Sequence, residues 1–311
     1  MTSSEKLYKY ATVKAARAML KGASVRLSWP GEFNDPFEVG WDMHHQIKSR
    51  EGRSRLAALA VEVLSGRLPV HKDAESEIRS RVQFQIDRLA KFSLADRERA
   101  FNQLRSQAKQ PFRPRMPGTN LVAKRARVFC LSKRPDEILM WSHYAAQHRG
   151  IVLEFDAEAV RAHWATIAPR LRRVDVKYPQ SYPTTFDAAR LDSFIRSAMA
   201  AGPAYEPRDE EIDVLLETKS RHWKYEQEVR FYSFSASNVP ERWIYLGLPK
   251  GSITAVIGGC RCPTATVAAL TKLARTWNPN VSTRVYDTHP NRFTLNLRRD
   301  DAPNPRACDV S

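Results

Sequence analysis

Hydrophobic and polar positions change their period several times along the chain. Leu7 to Tyr10 is a short apolar and aromatic run that predicts a strand. Ala16, Met19 and Leu20 then fall at helical spacing, which predicts a helix over 13–21 with Thr12 as its cap and Gly22 as its stop. Residues 25–29 alternate and predict a second strand, ended by Pro30 and Gly31. Between Arg55 and Lys109 the character changes. Ile78, Val82, Ile86 and Leu89 share one helical face, and Phe101 and Leu104 continue the pattern, so two or three helices are expected there. Pro111, Pro114, Pro117 and Gly118 close that region as a loop.

From Arg127 onward the pattern is that of a sheet. Strands are expected over 128–132, 151–155, 173–178, 225–234, 243–246, 253–257 and 282–286, with helices over 136–146, 186–201, 206–219 and 264–276. The residues from Asp300 are polar and rich in proline. The elements sum to a single α+β domain over 1–299 on a mixed or antiparallel sheet, with a helical insertion at about 51–110 and a disordered tail over 300–311.

Composition narrows the class. With 311 residues and 42% hydrophobic content the chain can bury a core without disulfide staples. No apolar run approaches the roughly 20 residues of a membrane-spanning helix. Residues 1–10 hold no apolar stretch long enough for a secretory signal, so a cytoplasmic protein with no membrane partner is expected. Of the four cysteines only Cys260 and Cys262 are close, and one C-x-C pair is a poor zinc signal; reduced thiols and no metal are expected.

The formal charge is +16, a field that gathers polyanions. From Arg99 to Arg134 there is no acidic residue. Arg113, Arg115, Lys124, Arg125 and Arg127 in that stretch are candidate phosphate contacts for a nucleic acid. The same run would equally serve as a solvated basic loop, since no aromatic RNA-binding signature accompanies it.

Four constellations could carry chemistry. If 225–234 is one strand, Glu226, Glu228 and Arg230 share a face, with the two carboxylates about 7 Å apart. One could stabilise a cationic sugar centre while the other deprotonates a nucleophile. The alternative is a charge network in which Arg230 neutralises a neighbour. Ser132 at a strand end, with Trp141 and Tyr144 on the following helix, offers hydroxyls and flat faces for a ring, or else packs that helix on the sheet. Tyr8, Lys9 and Tyr10 with Asn34 and Asp35 could grip a ribose or phosphate, against a structural Asx turn. Glu217 and Lys219 form an E-x-K of the kind found in magnesium nucleases, set in a helical pattern. His143 and His148 are five apart and share no helical face, which argues against a metal pair. No Walker loop, dinucleotide glycine motif, nucleophile elbow or H-E-x-x-H is present.

The blocks LYKY, FNDPFE, FCLSKRPDEILMWSHYAAQHRGIVLEFD, KSRHWKYEQEVRFY and ITAVIGG, spread over residues 7–259, resemble the bacterial domain-of-unknown-function family 2971. Their order is also similar to that of ADP-ribosyltransferases. That likeness implies a split sheet and NAD as co-substrate. It implies Lys9 or Tyr10 on the first strand as a cofactor contact, Ser132 and Tyr144 lining the nicotinamide pocket with Trp141 nearby, Glu228 as the catalytic carboxylate and Glu226 as its E-x-E partner. Lys9 departs from the His or Arg usual at the first position. The implied activity is ADP-ribosyl transfer to a nucleic acid or protein, as a toxin or phage-defence effector. The other readings are a non-enzymatic nucleic-acid-binding module and a magnesium-dependent nuclease.

Overall fold

The structure is a computed structural model, and it describes residues 4–35, 50–107, 126–181, 188–205, 208–234 and 243–298. In chain order the first elements are β1 (Lys6–Ala11), α1 (Val13–Gly22), β2 (Ser24–Ser28), α2 (Arg50–Leu64), α3 (Ser76–Ala90) and α4 (Leu94–Gln107). Then come β3 (Ala126–Ser132), α5 (Ile138–Tyr144), β4 (Ile151–Asp156), α6 (Ala157–Ile167), β5 (Arg172–Asp175), α7 (Ala188–Ala198) and α8 (Asp209–Glu217). The chain closes with β6 (Glu228–Phe234), β7 (Trp243–Gly247), β8 (Ile253–Gly258), α9 (Thr264–Arg275), β9 (Ser282–Thr288) and β10 (Leu295–Leu297). Among the described residues no helix is long and apolar enough to cross a membrane.

The expected α+β class holds, with one mixed sheet. Its main path runs β10-β9-β8-β4-β1-β3-β2-β7, with β6 on β3 and β5 on β6. All pairings are antiparallel except β8 with β9, which α9 connects as a crossover. The sheet forks at β3. One edge of β3 pairs with β6 over its whole length, from Ala126↔Phe234 to Ser132↔Glu228. The other edge meets β1 at Tyr8↔Ser132 and β2 at Ser28↔Val128.

Two compact units result. The sheet unit comprises residues 1–33, 125–178 and 219–311, and the helical unit comprises 34–124 and 179–218. Of the two or three helices expected between β2 and β3, the described residues form three, α2, α3 and α4. In the helical unit Leu56, Leu59, Val63, Ile78, Val82, Phe194 and Ile195 form one core, so α7 joins α2 and α3. In the sheet unit, strand alternation sends Leu7, Leu27, Phe129, Leu131 and Phe231 to one face, where Ala16 and Leu20 of α1, Trp164 of α6 and Leu270 of α9 cover them. Tyr10, Val152 and Ile257 project from the other face onto Met140 and Trp141 of α5.

The differences from expectation are local. The strand expected over 225–234 begins at Glu228, because Arg221–Glu226 forms a 3-10 turn ended by Gln227 in the left-handed region (φ 43°). Helix α6 was not marked by the pattern. Its signals are the Asp156 side chain, which accepts from Ala159 N, and Val160 with Trp164 one turn apart. The expected loop at 111–118 and the tail over 300–311 lie outside the described residues.

Gly150 and Gly259 fix how α5 returns to the sheet. A Cβ at Gly150 would stand 2.4 Å from the Ala11 carbonyl oxygen, and one at Gly259 would stand 2.3 Å from that of His148. These are backbone atoms and cannot swing aside. Gly259→Ala should therefore lower unfolding free energy by about 1–3 kcal/mol, as other overpacked sites do. A shift of the urea midpoint at constant m-value measures it.

Candidate active site

Glu228 opens β6 with its side chain buried. Arg230, two residues along the strand and wholly buried, forks onto it: Nε donates to Oε1 at 2.9 Å and Nη2 to Oε2 at 2.8 Å. Lys219 Nζ adds a third donor to Oε2 at 3.3 Å. The same ammonium donates to Oε2 of Glu226 at 2.6 Å and lies 4.9 Å from the Trp223 ring centre. Glu226 Oε1 accepts from the Tyr144 hydroxyl at 2.8 Å. Backbone restraints hold both acids. Ser132 Oγ donates to the Glu226 carbonyl at 2.7 Å, and the Glu228 amide donates to the Tyr178 hydroxyl at 2.7 Å.

Environment divides the two carboxyls. Burial alone would raise Glu228, but the charges of Arg230 and Lys219 outweigh it and hold the group well below the usual carboxylate range. Burial raises Glu226, and Lys219 offsets that only in part. Burial, with the charge of Glu226, also raises the Tyr144 phenol, which stays a hydrogen-bond donor. A cleft of about 500 Å³ opens here, lined by Glu228, Gln227, Tyr225, Tyr178 and Glu137, with Lys133, Arg134 and Lys224 among its cations. That volume lies within the range of small-molecule sites, roughly 300–1,000 Å³.

The structure thus brings together Glu226, Glu228, Tyr144 and Ser132, and it places the other candidates elsewhere. The alternation expected for Glu226 fails, because that residue ends a 3-10 turn instead of lying on the strand. The register sets Tyr8 beside Ser132 and Ser132 beside Glu228, so Lys9 falls on the opposite face. There Lys9 Nζ donates to the Cys130 carbonyl at 2.8 Å and stands 4.9 Å from the Phe129 ring centre. Tyr8 is paired across the strands with Glu154, and burial together with that charge raises its phenol.

Tyr10 and Trp141 are structural. The Tyr10 hydroxyl donates to the Arg134 carbonyl at 2.8 Å, and the Trp141 indole donates to the Pro135 carbonyl at 2.8 Å. Their rings meet edge to face at 5.3 Å. Asn34 is exposed and Asp35 buried, and both belong to the helical unit. Arg113, Arg115, Lys124 and Arg125 lie outside the described residues. Arg127 is buried in β3, donating to its neighbour's carbonyl, and so cannot meet a phosphate as expected. Glu217 lies in the helical unit, whereas Lys219 is engaged with Glu226 and Glu228. Among the described residues no group of three or more His, Cys, Asp or Glu side chains is placed to hold a metal ion.

Two members of the cluster were outside the expected site: Lys219, singled out only for a nuclease motif, and Tyr178, which carried no signal. Only the turn over 221–226 brings Lys219 to Glu226 across seven positions of sequence.

A family model described as "Protein of unknown function (DUF2971)" matches residues 140–231. The chain is similar to that family over this span. The span runs from α5 to β6 and contains Tyr144, Tyr178, Lys219, Glu226, Glu228 and Arg230. No curated protein matches the chain, and no solved structure matches it.

The opposite carboxyl shifts have opposite consequences for stability. Glu228, lowered in the folded state, adds stability present above its unfolded value of about 4.3 and lost as pH falls. Glu226, raised, adds stability below that value and loses it as pH rises through its folded value. Glu228→Gln should therefore shrink the fall in melting temperature on acidification, and Glu226→Gln should steepen it. Thermal melts between about pH 3 and pH 8 read both slopes.

Proposed function

We propose that the chain is an NAD-dependent ADP-ribosyltransferase-like enzyme acting on a nucleic-acid or protein acceptor. The observation that carries this reading is a buried Glu228, held ionised, that lines a cleft carrying Lys133, Arg134 and Lys224, with Glu226 of opposite shift joined to it through Lys219. Neighbouring titratable groups driven apart in this way divide acid–base work between them.

The residues present suit the co-substrate. Among the described residues the side chains of Lys133 and Arg134 pair with Asp175 and Asp136 in exposed ion pairs, which a pyrophosphate can displace at little cost. Tyr225 supplies an aromatic face beside Glu228. In the reaction the bond between the ribose C1′ and the nicotinamide nitrogen breaks. Nicotinamide leaves with the bonding pair, which neutralises its ring charge. Glu228, kept ionised, accepts a hydrogen bond from the ribose 2′-hydroxyl and stabilises the positive charge that grows at C1′. Glu226 takes the proton of the acceptor group as its new bond to C1′ forms, and Tyr144 orients that carboxyl. The order of the sequence blocks supports the same assignment.

Purified protein incubated with NAD should release nicotinamide. Glu228→Gln should slow that release by roughly 10²–10³-fold, the effect of removing one group that meets transition-state charge. Tyr144→Phe, which leaves every charge in place, should slow it less. A melting curve accompanies each variant, so that loss of fold is told apart from loss of chemistry. Equal rates for wild type and Glu228→Gln would discard the enzyme reading in favour of a nucleic-acid-binding module, which the charge of +16 also fits.

A further inference from the structure

A second cleft of about 500 Å³ lies in the sheet unit and shares no lining residue with the first. The hairpin joining β9 to β10 and the turn after α5 contribute to it. Arg261 and Arg292 line it together with the imidazoles of His148 and His289 and the amide of Asn291. None of its lining residues is Asp or Glu. Among the described residues neither guanidinium is paired with a carboxylate. Two such groups at one concavity, with no acidic residue in its lining among the described residues, focus a positive potential into it.

The backbone under this cleft is built against its own preference. Ala146, Gln147 and His148 take left-handed φ values of 48°, 54° and 69° in succession. Non-glycine residues visit that region as single positions, and runs are rare. Strain of this kind persists only where the surroundings over-determine it, and it clusters at ligand sites. The surroundings here do so. The His148 amide donates to the Trp141 carbonyl at 3.2 Å, and the Arg261 amide donates to the His148 carbonyl at 3.1 Å. Gly259 leaves the room that this carbonyl needs. The His148 ring stacks on Trp141 at 6.4 Å and 13°, and its Nε2 lies 3.1 Å from Ser142 Oγ. Its Nδ1 is buried and has no hydrogen-bond partner among the described residues. At the mouth, Phe293 on the hairpin tip is 100% exposed.

We infer that this cleft binds a nucleotide through its phosphate. The guanidinium groups of Arg261 and Arg292 match phosphate oxygens two at a time, which a lysine pair would not do. The Asn291 side-chain amide and the His289 imidazole, whose Nδ1 accepts from the Asn291 backbone N–H and leaves Nε2 to donate, border the same space and supply further donors. Phe293 offers the base a flat apolar face. The inference needs neither Glu226 nor Glu228, and it stands whether or not NAD is a substrate.

Calorimetric titration of the full chain with AMP, adenosine and inorganic phosphate tests it. AMP should bind, inorganic phosphate should compete with it, and adenosine should bind at least roughly ten-fold more weakly for want of charge-assisted bonds. The double variant Arg261→Gln/Arg292→Gln should lose at least roughly ten-fold in AMP affinity. Both side chains are exposed, so its melting temperature without ligand should match wild type. Phe293→Ala should weaken AMP while leaving phosphate unchanged. Absence of AMP binding at millimolar concentration, equal affinity for adenosine, or full affinity in the double arginine variant would each overturn the inference.

Discussion

Two carboxylates and two cations share one buried volume, and the surrounding structure serves to keep that charge balanced. Glu226, Glu228, Lys219 and Arg230 are all within a few per cent of full burial. Each ion alone would carry a desolvation penalty of several kcal/mol, and removing one partner of such a set typically costs about 3–5 kcal/mol. Geometry therefore has to be close. The fork of Arg230 on Glu228 meets that need within one strand, because residues two apart share a face. Lys219 meets it from outside the strand, and it reaches both acids only because the chain turns before β6 begins. Were the strand to start at Tyr225, Glu226 would stand about 7 Å from Glu228 along the ribbon. The turn replaces that spacing with a shared ammonium.

The fork of the sheet at β3 gives the cluster its frame. Ser132 ends β3 where β1 and β6 both meet it, and its hydroxyl anchors the Glu226 carbonyl. The same hydroxyl accepts from the Arg134 amide at 3.1 Å, so one small side chain ties the approach to α5 to the acid turn. Tyr10 and Trp141 then fix α5 by two hydrogen bonds to the backbone before it. This makes it possible for Tyr144, on the last turn of α5, to meet Glu226. Residues that resemble ligand contacts in sequence thus act one step away, by holding the group that faces the acid.

Much of the fold was legible because burial imposes period. The stripe of Ile78, Val82 and Ile86 announced a helix, and β3 and β4 announced themselves as apolar runs. Helix α6 carried only a short buried stripe, Ala157, Val160 and Trp164, at helical spacing. The turn at 221–226 was hidden for a different reason. Gln227 adopts a left-handed conformation without the glycine that usually signals one, and W-x-Y-E-x-E alternates as well as any strand. Glu226 and Glu228 could be named from sequence, because paired acids are visible in a line of text. Their partners could not. Tyr144 is 82 residues from Glu226, and Lys219 reaches it through a turn that the pattern did not reveal.

The two acids have the same chemistry and end in opposite states, and the partner count explains which is which. Glu228 receives a guanidinium and an ammonium, whereas Glu226 receives that ammonium and a neutral phenol. Arg230 is thus the source of the asymmetry. It leaves Glu228 charged, and the charge on Glu228 in turn discourages a second charge on Glu226. Protons then bind to the pair as a unit, and Glu226 is the member able to take one up. A fixed negative charge beside a proton acceptor suits a reaction that builds positive charge at one atom and removes a proton from another.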